Sequence, residues 1–168
     1  MRKILIALLF IVSIVAISCQ LDTTRPKRKS TAQDNSEETV GTGDLANISI
    51  DLGEGQNRYS FDVPNSWKDT TLLLPLAGDN IEDIIDGLNY EITSATIVGG
   101  RNVNDWVSIS TKTETDGNKK GPRLTIHERV KNEISLYLQR EVEVSILVTN
   151  ANNDTATLKV YLFFNRIP

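Results

Sequence analysis

Few side chains in this sequence belong to the types that do chemistry. Cys19 is the single cysteine and His127 the single histidine. A lone thiol excludes an intramolecular disulfide and a zinc site built from cysteine pairs. One imidazole leaves little material for His-rich metal sites or His-based catalysis. Glu128 follows His127 directly, but adjacent residues of a strand point to opposite faces, so the two make no local acid–base pair. His127 therefore reads as a structural histidine at or near the surface. Serine and threonine are plentiful, yet no Gly-x-Ser-x-Gly elbow surrounds any of them. The acidic group Asp79, Glu82, Asp83 and Asp86 does not have the spacing of an EF-hand loop, and acids near a helix start are favourable without a metal. Gly99-Gly100-Arg101 lacks the lysine and spacing of a phosphate-cradling loop and reads as a tight turn. These residues predict a protein that is not an enzyme and holds no cofactor and no metal.

The aromatic residues are the better candidates for contact with a ligand or partner, because they combine area with a polar handle. Trp67 stands among Pro64, Asn65 and Lys68 in a loop-like stretch and is expected to be exposed, which makes it the candidate partner-binding residue. Trp106 opens the apolar segment Trp106 to Thr111 and is expected to be a core anchor.

Three segments with different composition carry these residues. Arg2 and Lys3 precede a run from Ile4 to Ile17 that is apolar apart from Ser13. A basic start and a short apolar run are the two parts of an export signal, and the run falls short of the ~20 apolar residues of a spanning helix. It ends in Ala16-Ile17-Ser18-Cys19, which resembles the lipobox of bacterial lipoproteins in the relaxed form seen in spirochaetes. The resemblance implies removal of residues 1–18, lipidation of Cys19, and attachment to the bacterial cell envelope, with the outer membrane as the expected location. Membrane lipid is then the first partner, held through the acylated Cys19. Each buried lipid methylene contributes about 0.8 kcal/mol, so two or three chains anchor firmly.

From Gln20 to about Gly43 only Leu21, Ala32 and Val40 are apolar. Such a stretch buries too little surface to offset the entropy of ordering, and is expected to be a disordered tether. As a flexible coil it has an r.m.s. span on the order of 25 to 30 Å. Arg25, Lys27, Arg28 and Lys29 form a basic cluster in it, read either as a contact with anionic headgroups or, preferably, as ordinary solvated linker charge.

Residues 44–168 hold the periodic pattern. The chain as a whole has 39% hydrophobic residues and a net charge of -4, which suits one modest globular domain and offers no electrostatic case for nucleic acid. Asn47 to Leu52 and Tyr59 to Val63 alternate on either side of a glycine-bearing turn, predicting a hairpin. Leu72 to Leu74 is a short buried strand or a tucked loop between Pro64 and Pro75. Asp79 and Glu82 form a capping-box pattern ahead of Ile81, Ile84, Ile85 and Leu88, predicting the one helix, with Gly87 as its stop. Strands follow at Tyr90 to Val98, Trp106 to Thr111, Arg123 to Glu128, Ile134 to Leu138, Val142 to Val148 and Thr155 to Phe164. Short alternating strands with turns between them predict a mainly β fold, an immunoglobulin-like antiparallel β-sandwich with one short helix. The final hairpin is its firmest element, with Val142, Val144, Ile146 and Val148 facing the same core as Leu158, Val160, Leu162 and Phe164.

Trp106-Val107-Ser108-Ile109-Ser110, Leu124-Thr125-Ile126, Arg140 and Val144-Ser145-Ile146 also stand in an order similar to BACON-type immunoglobulin-like modules. That resemblance, over about residues 90–168, implies the fold and says little of the ligand, although such modules are associated with carbohydrate or mucin contact. The sequence thus predicts an envelope lipoprotein presenting a non-enzymatic sandwich to a protein or glycan partner. The alternative is an accessory structural subunit in envelope assembly, and an exported hydrolase is disfavoured because no acid, base and nucleophile set is visible.

Overall fold

The structure, a computed structural model, describes residues 40–53 and 58–168. The signal segment, Cys19 and the tether up to residue 39 lie outside the described residues.

Among the described residues twelve strands build the domain: β1 (Val40–Gly41), β2 (Ser49–Ile50), β3 (Tyr59–Val63), β4 (Thr70–Leu73), β5 (Leu76–Ala77), β6 (Asn89–Ile97), β7 (Val107–Ile109), β8 (Glu114–Asp116), β9 (Lys119–Gly121), β10 (Arg123–Ile126), β11 (Gln139–Thr149) and β12 (Thr155–Arg166). The hairpin of β11 and β12 is the centre of the larger sheet, in register from Gln139 opposite Asn165 to Thr149 opposite Thr155. Its period-2 pattern works as the alternation demands. Val142, Val144, Ile146 and Val148 on β11, and Leu158, Val160, Leu162 and Phe164 on β12, are all buried. β6 pairs antiparallel with the outer side of β11. β1 pairs antiparallel and β3 parallel along the other side of β12.

A second sheet, β4-β10-β7, is antiparallel throughout. Leu124 and Ile126 on β10 and Val107 on β7 belong to the same buried cluster as the inward residues of the larger sheet. Two sheets thus enclose one core, the mainly β, immunoglobulin-like sandwich expected from the sequence. Trp106 is buried, as expected, with its ring edge-on to Phe164 at a centroid distance of 6.1 Å. Short pairs β2-β5 and β8-β9 complete the set.

Several expectations need correction. Residues 47–52 and 59–63 do not pair as a hairpin: Ser49 and Ile50 pair with Ala77 and Leu76, whereas Tyr59–Val63 runs parallel to β12. Phe61 gains a stacked contact with Phe164 there, at 5.7 Å between centroids, which a local hairpin would not supply. The expected helix is one turn, α1 (Ile81–Ile84), continued as 3-10 helix over Ile85–Gly87. Asp79 does not cap it. Its carboxylate accepts from the Asn47 side-chain amide at 2.9 Å, and Asn80 in a left-handed conformation precedes the first turn. Nor is that helix alone, since α2 (Val130–Glu133) stands directly ahead of the strand expected over residues 134–138. That segment is no strand: β11 is already paired on both sides, and the chain turns at Ser135–Leu138 to enter it. Val40 and Gly41, ahead of Asp44, also pair with β12.

Candidate functional site

The direction of β12 gives the domain two poles. At its first residue the incoming chain is fastened, with the Thr42 N–H donating to the Thr155 carbonyl at 2.9 Å and the Thr155 N–H donating to Thr42 Oγ1 at 3.0 Å. At its last residue, roughly 35 Å further along at ~3.3 Å per residue, lie the Ser135–Leu138 turn, the end of β3 and the end of β6. Among the described residues the exposed large apolar side chains are Val98, Leu136, Tyr137 and Leu138, at 54%, 48%, 76% and 41%. All four stand at this second pole, Val98 just beyond β6 and the other three just before β11.

The turn is firmly built. The Leu138 N–H donates to the Ser135 carbonyl at 3.1 Å, and the Tyr137 N–H to the Arg166 carbonyl at 2.9 Å. Tyr137 has φ +63°, a left-handed conformation at the turn position where glycine or asparagine is the ordinary choice. Behind it, Arg166 is buried at 6% exposure. Its Nε donates to the Lys131 carbonyl at 3.0 Å, Nη1 to the carbonyls of Val63 and Ile167 at 2.8 and 2.6 Å, and Nη2 to Asn65 Oδ1 at 2.6 Å. One planar side chain with its fork of donors thereby joins β3, the Asn65 loop, α2 and the chain end.

Trp67 is not the exposed residue that its loop-like surroundings predict. Its relative exposure is 8%, and its ring meets Phe61 edge-on at 6.1 Å. The backbone turns between Pro64 and Trp67, with the Trp67 N–H donating to the Pro64 carbonyl at 3.0 Å, which folds the ring inward. Lys131 Nζ donates to the Trp67 carbonyl at 3.2 Å and covers the turn from outside. Trp67 Nε1 is buried and finds no hydrogen-bond partner among the described residues. The partner-contact role suggested for Trp67 therefore has no exposed ring to work with.

His127 lies half-buried at the mouth of β10, with Nδ1 3.2 Å from Asp69 Oδ2. The Glu128 N–H donates to the other Asp69 oxygen at 2.6 Å. Donation by that N–H, and then by His127, holds the Asp69 carboxyl below its ordinary range. Glu128 points away from this pair to Lys131 and Lys68, whose ammonium groups lower its pKa likewise. The His–Asp pair links positions far apart in sequence, and no local spacing signals it. Tyr90 is a buried phenol, pushed up to about 12 by burial, with its hydroxyl 2.8 Å from Thr113 Oγ1.

Of the acidic group, Asp86 pairs with Lys120 at 3.0 Å, and among the described residues no three His, Cys, Asp or Glu side chains are placed to hold a metal ion. Gly99-Gly100 forms the expected tight turn, with the Gly100 N–H donating to the Ile97 carbonyl at 2.7 Å. A cleft of about 640 Å³ opens between Tyr59, Leu72, Pro75, Asp116, Lys119 and Arg123. Its Arg123 is already committed to Glu114 at 2.5 Å. Among the described residues no helix is long and apolar enough to cross a membrane.

No family model matches the chain, and no curated protein matches its sequence. Similar solved structures include the periplasmic chaperone SfaE, with 12% identity over 71% of this chain and 56% of the chaperone, at a TM-score of 0.43. The chain thus spans little more than half the chaperone's length. The CooA pilin subunit from enterotoxigenic Escherichia coli has 13% identity over 73% of this chain and 99% of the pilin, at a TM-score of 0.42. The C-terminal domain of the Streptococcus agalactiae AgI/II polypeptide BspA has 9% identity at a TM-score of 0.22.

Proposed function

We propose that this protein is a lipid-anchored bacterial envelope lipoprotein whose β-sandwich is a non-enzymatic binding module for a macromolecular partner. The observation that carries the binding part of the reading is the group of exposed apolar side chains Val98, Leu136, Tyr137 and Leu138. The described chain enters through β1, which lies opposite Thr157 and Ala156 and runs antiparallel to β12, and the exposed apolar side chains stand near the far end of β12. A lipid at Cys19 and a flexible tether spanning on the order of 25 to 30 Å r.m.s. would let the domain stand clear of the bilayer without fixing which face it presents. The short apolar run that ends at the single cysteine supports the anchor.

Metabolic labelling with a fatty-acid analogue tests the anchor: label on the parent and none on Cys19→Ala is the expected outcome. Equal label on both would refute lipidation. Protease shaving of intact cells then tells which side of the envelope the domain faces.

A further inference from the structure

β4 is the end strand of the smaller sheet and pairs on one side only, with β10. The Leu74 N–H donates to the Pro122 carbonyl at 2.9 Å. Bonded positions alternate along an antiparallel pair, so Leu72 turns its backbone groups toward Leu124 while Thr71 and Leu73 turn theirs outward. Neither the outward N–H groups nor the outward carbonyls meet a partner among the described residues. Native edges are commonly blunted by charge, proline or a bulge. Thr70-Thr71-Leu72-Leu73 has no charge, no proline and an unbroken register to β10.

The same edge forms a wall of the cleft of about 640 Å³, which is lined by the three consecutive residues Thr71, Leu72 and Leu73. Neighbouring side chains of a strand alternate between faces, so a cleft that touches all three runs along the edge itself. Across it stand Leu52 and Tyr59, which like Leu72 pack against the core. A row of outward backbone donors and acceptors thus lies beside an apolar floor.

That combination identifies the ligand class. An ion of either sign is disfavoured, because Lys119 and Arg123 at the rim are offset by Asp51 and Asp116. N–H and C=O groups repeating at strand spacing are matched by the same groups of another extended backbone. Residues 20–39 of this chain supply only Leu21 and Ala32 as apolar side chains, too few to cover the floor at every second position. In a second copy the β4 edge is set back in its own cleft, so two such edges do not meet.

We infer that the open edge of β4 is a docking site for an extended polypeptide segment of a partner protein. The segment adds to the sheet as a further strand through Thr71 and Leu73 and sets alternate apolar side chains over Leu52, Tyr59 and Leu72. The inference rests on the binding-module reading above and names the partner's chemistry at a site separate from residues 136–138.

The test uses the full-length protein in detergent micelles and a phage-displayed library of random heptapeptides. Enriched peptides are expected to carry apolar residues at alternate positions. One of them, made synthetically, is then N-methylated at single backbone nitrogens. Methylation in one two-residue phase should weaken binding about tenfold, the loss of roughly one hydrogen bond, and methylation in the other phase should leave it nearly unchanged. Thr71→Pro removes an outward N–H and leaves the β10 ladder intact, so it should weaken binding likewise, whereas Thr71→Val should preserve it. The peptide series is read on the unaltered protein, which keeps the result independent of any folding defect in Thr71→Pro. No enrichment, or N-methyl effects without the two-residue phase, would overturn the inference. So would a dimer of the unaltered protein in sedimentation that Thr71→Pro separates. Peptide binding lost in Tyr137→Asp but kept in Thr71→Pro defeats the edge site and leaves the binding module standing. Phase-dependent binding by protein that takes up no fatty-acid label supports the edge site and defeats the anchor.

Discussion

The backbone N–H of Tyr137 donates to the carbonyl of Arg166, and the Arg166 N–H returns a bond to the carbonyl of Leu138 at 3.0 Å. The residue whose guanidinium joins β3, the Asn65 loop and α2 thus also holds the exposed turn. Replacing Arg166 by Met keeps much of the side chain's bulk but takes the donor from the Lys131 and Ile167 carbonyls and Asn65 Oδ1, while the Val63 carbonyl keeps the Ile167 N–H at 3.2 Å. Orphaned acceptors cost about 1–3 kcal/mol each before relaxation. The expected loss is about 3 kcal/mol in urea denaturation, with faster amide exchange at Tyr137 and Leu138. Unchanged exchange there would show that the turn does not depend on the clamp.

Tyr137→Gly is expected to raise stability by about 1 kcal/mol, because glycine accepts φ +63° without strain. Thermal unfolding of the two proteins compares them. A fall of similar size would mean that the ring packs on its own domain.

Trp67 and Trp106 are both buried, so truncation of either to Ala should cost roughly 3 to 5 kcal/mol. The two differ in a second substitution. Trp67→Phe removes an indole N–H that has no partner among the described residues and is expected to cost less than half as much as Trp67→Ala. Chemical denaturation of the three variants decides it, and equal costs for Phe and Ala at position 67 would contradict the unpaired N–H.

Asp69, Glu128 and Glu133 have carboxyl groups held below their ordinary values of 3.8, 4.5 and 4.5 by the Glu128 N–H, by Lys131 and by Arg101 respectively. A lowered folded-state pKa contributes stability that is present above the ordinary value and is lost as pH falls through the lowered one. Stability should therefore decline below about pH 4.5, and Asp69→Asn should flatten the lowest part of that decline. Denaturation midpoints between pH 2.5 and 6 measure it. An identical acid profile for Asp69→Asn would remove Asp69 from the account.

A chain beginning at Asp44 retains the buried Leu45 but loses β1 and the Thr42–Thr155 hydrogen bonds. It should fold, at a cost of about 1 to 3 kcal/mol relative to a chain beginning at Val40, since each hydrogen bond contributes about 0.5–1.5 kcal/mol. Far-UV circular dichroism and urea midpoints of the two chains provide the comparison.

The long hairpin was legible because the strict alternation of Val142 to Val148 and of Leu158 to Phe164 states both the strand and its buried face. Trp106 was legible for a similar reason, as a large ring at the head of an apolar segment. The alternation of Ile134, Leu136 and Leu138 misled because it describes spacing only. Whether a sheet edge is free to receive the segment depends on β6 and β12, which flank β11 already. Trp67 misled because flanking Pro, Asn and Lys are read as a loop, and a loop can still turn its one large ring inward.

Composition and local pattern determined by themselves the division into an apolar start, a polar stretch and a β-rich domain, since burial capacity and period-2 alternation are properties of the chain read in order. Pairing partners and poles were decided by the tertiary structure alone. The parallel seat of β3 beside β12, the His127–Asp69 pair, the Arg166 clamp and the gathering of Val98 with Leu136–Leu138 at one pole all join residues distant in sequence. Their energies come from packing, hydrogen bonds and ion pairing across elements, which no local spacing records.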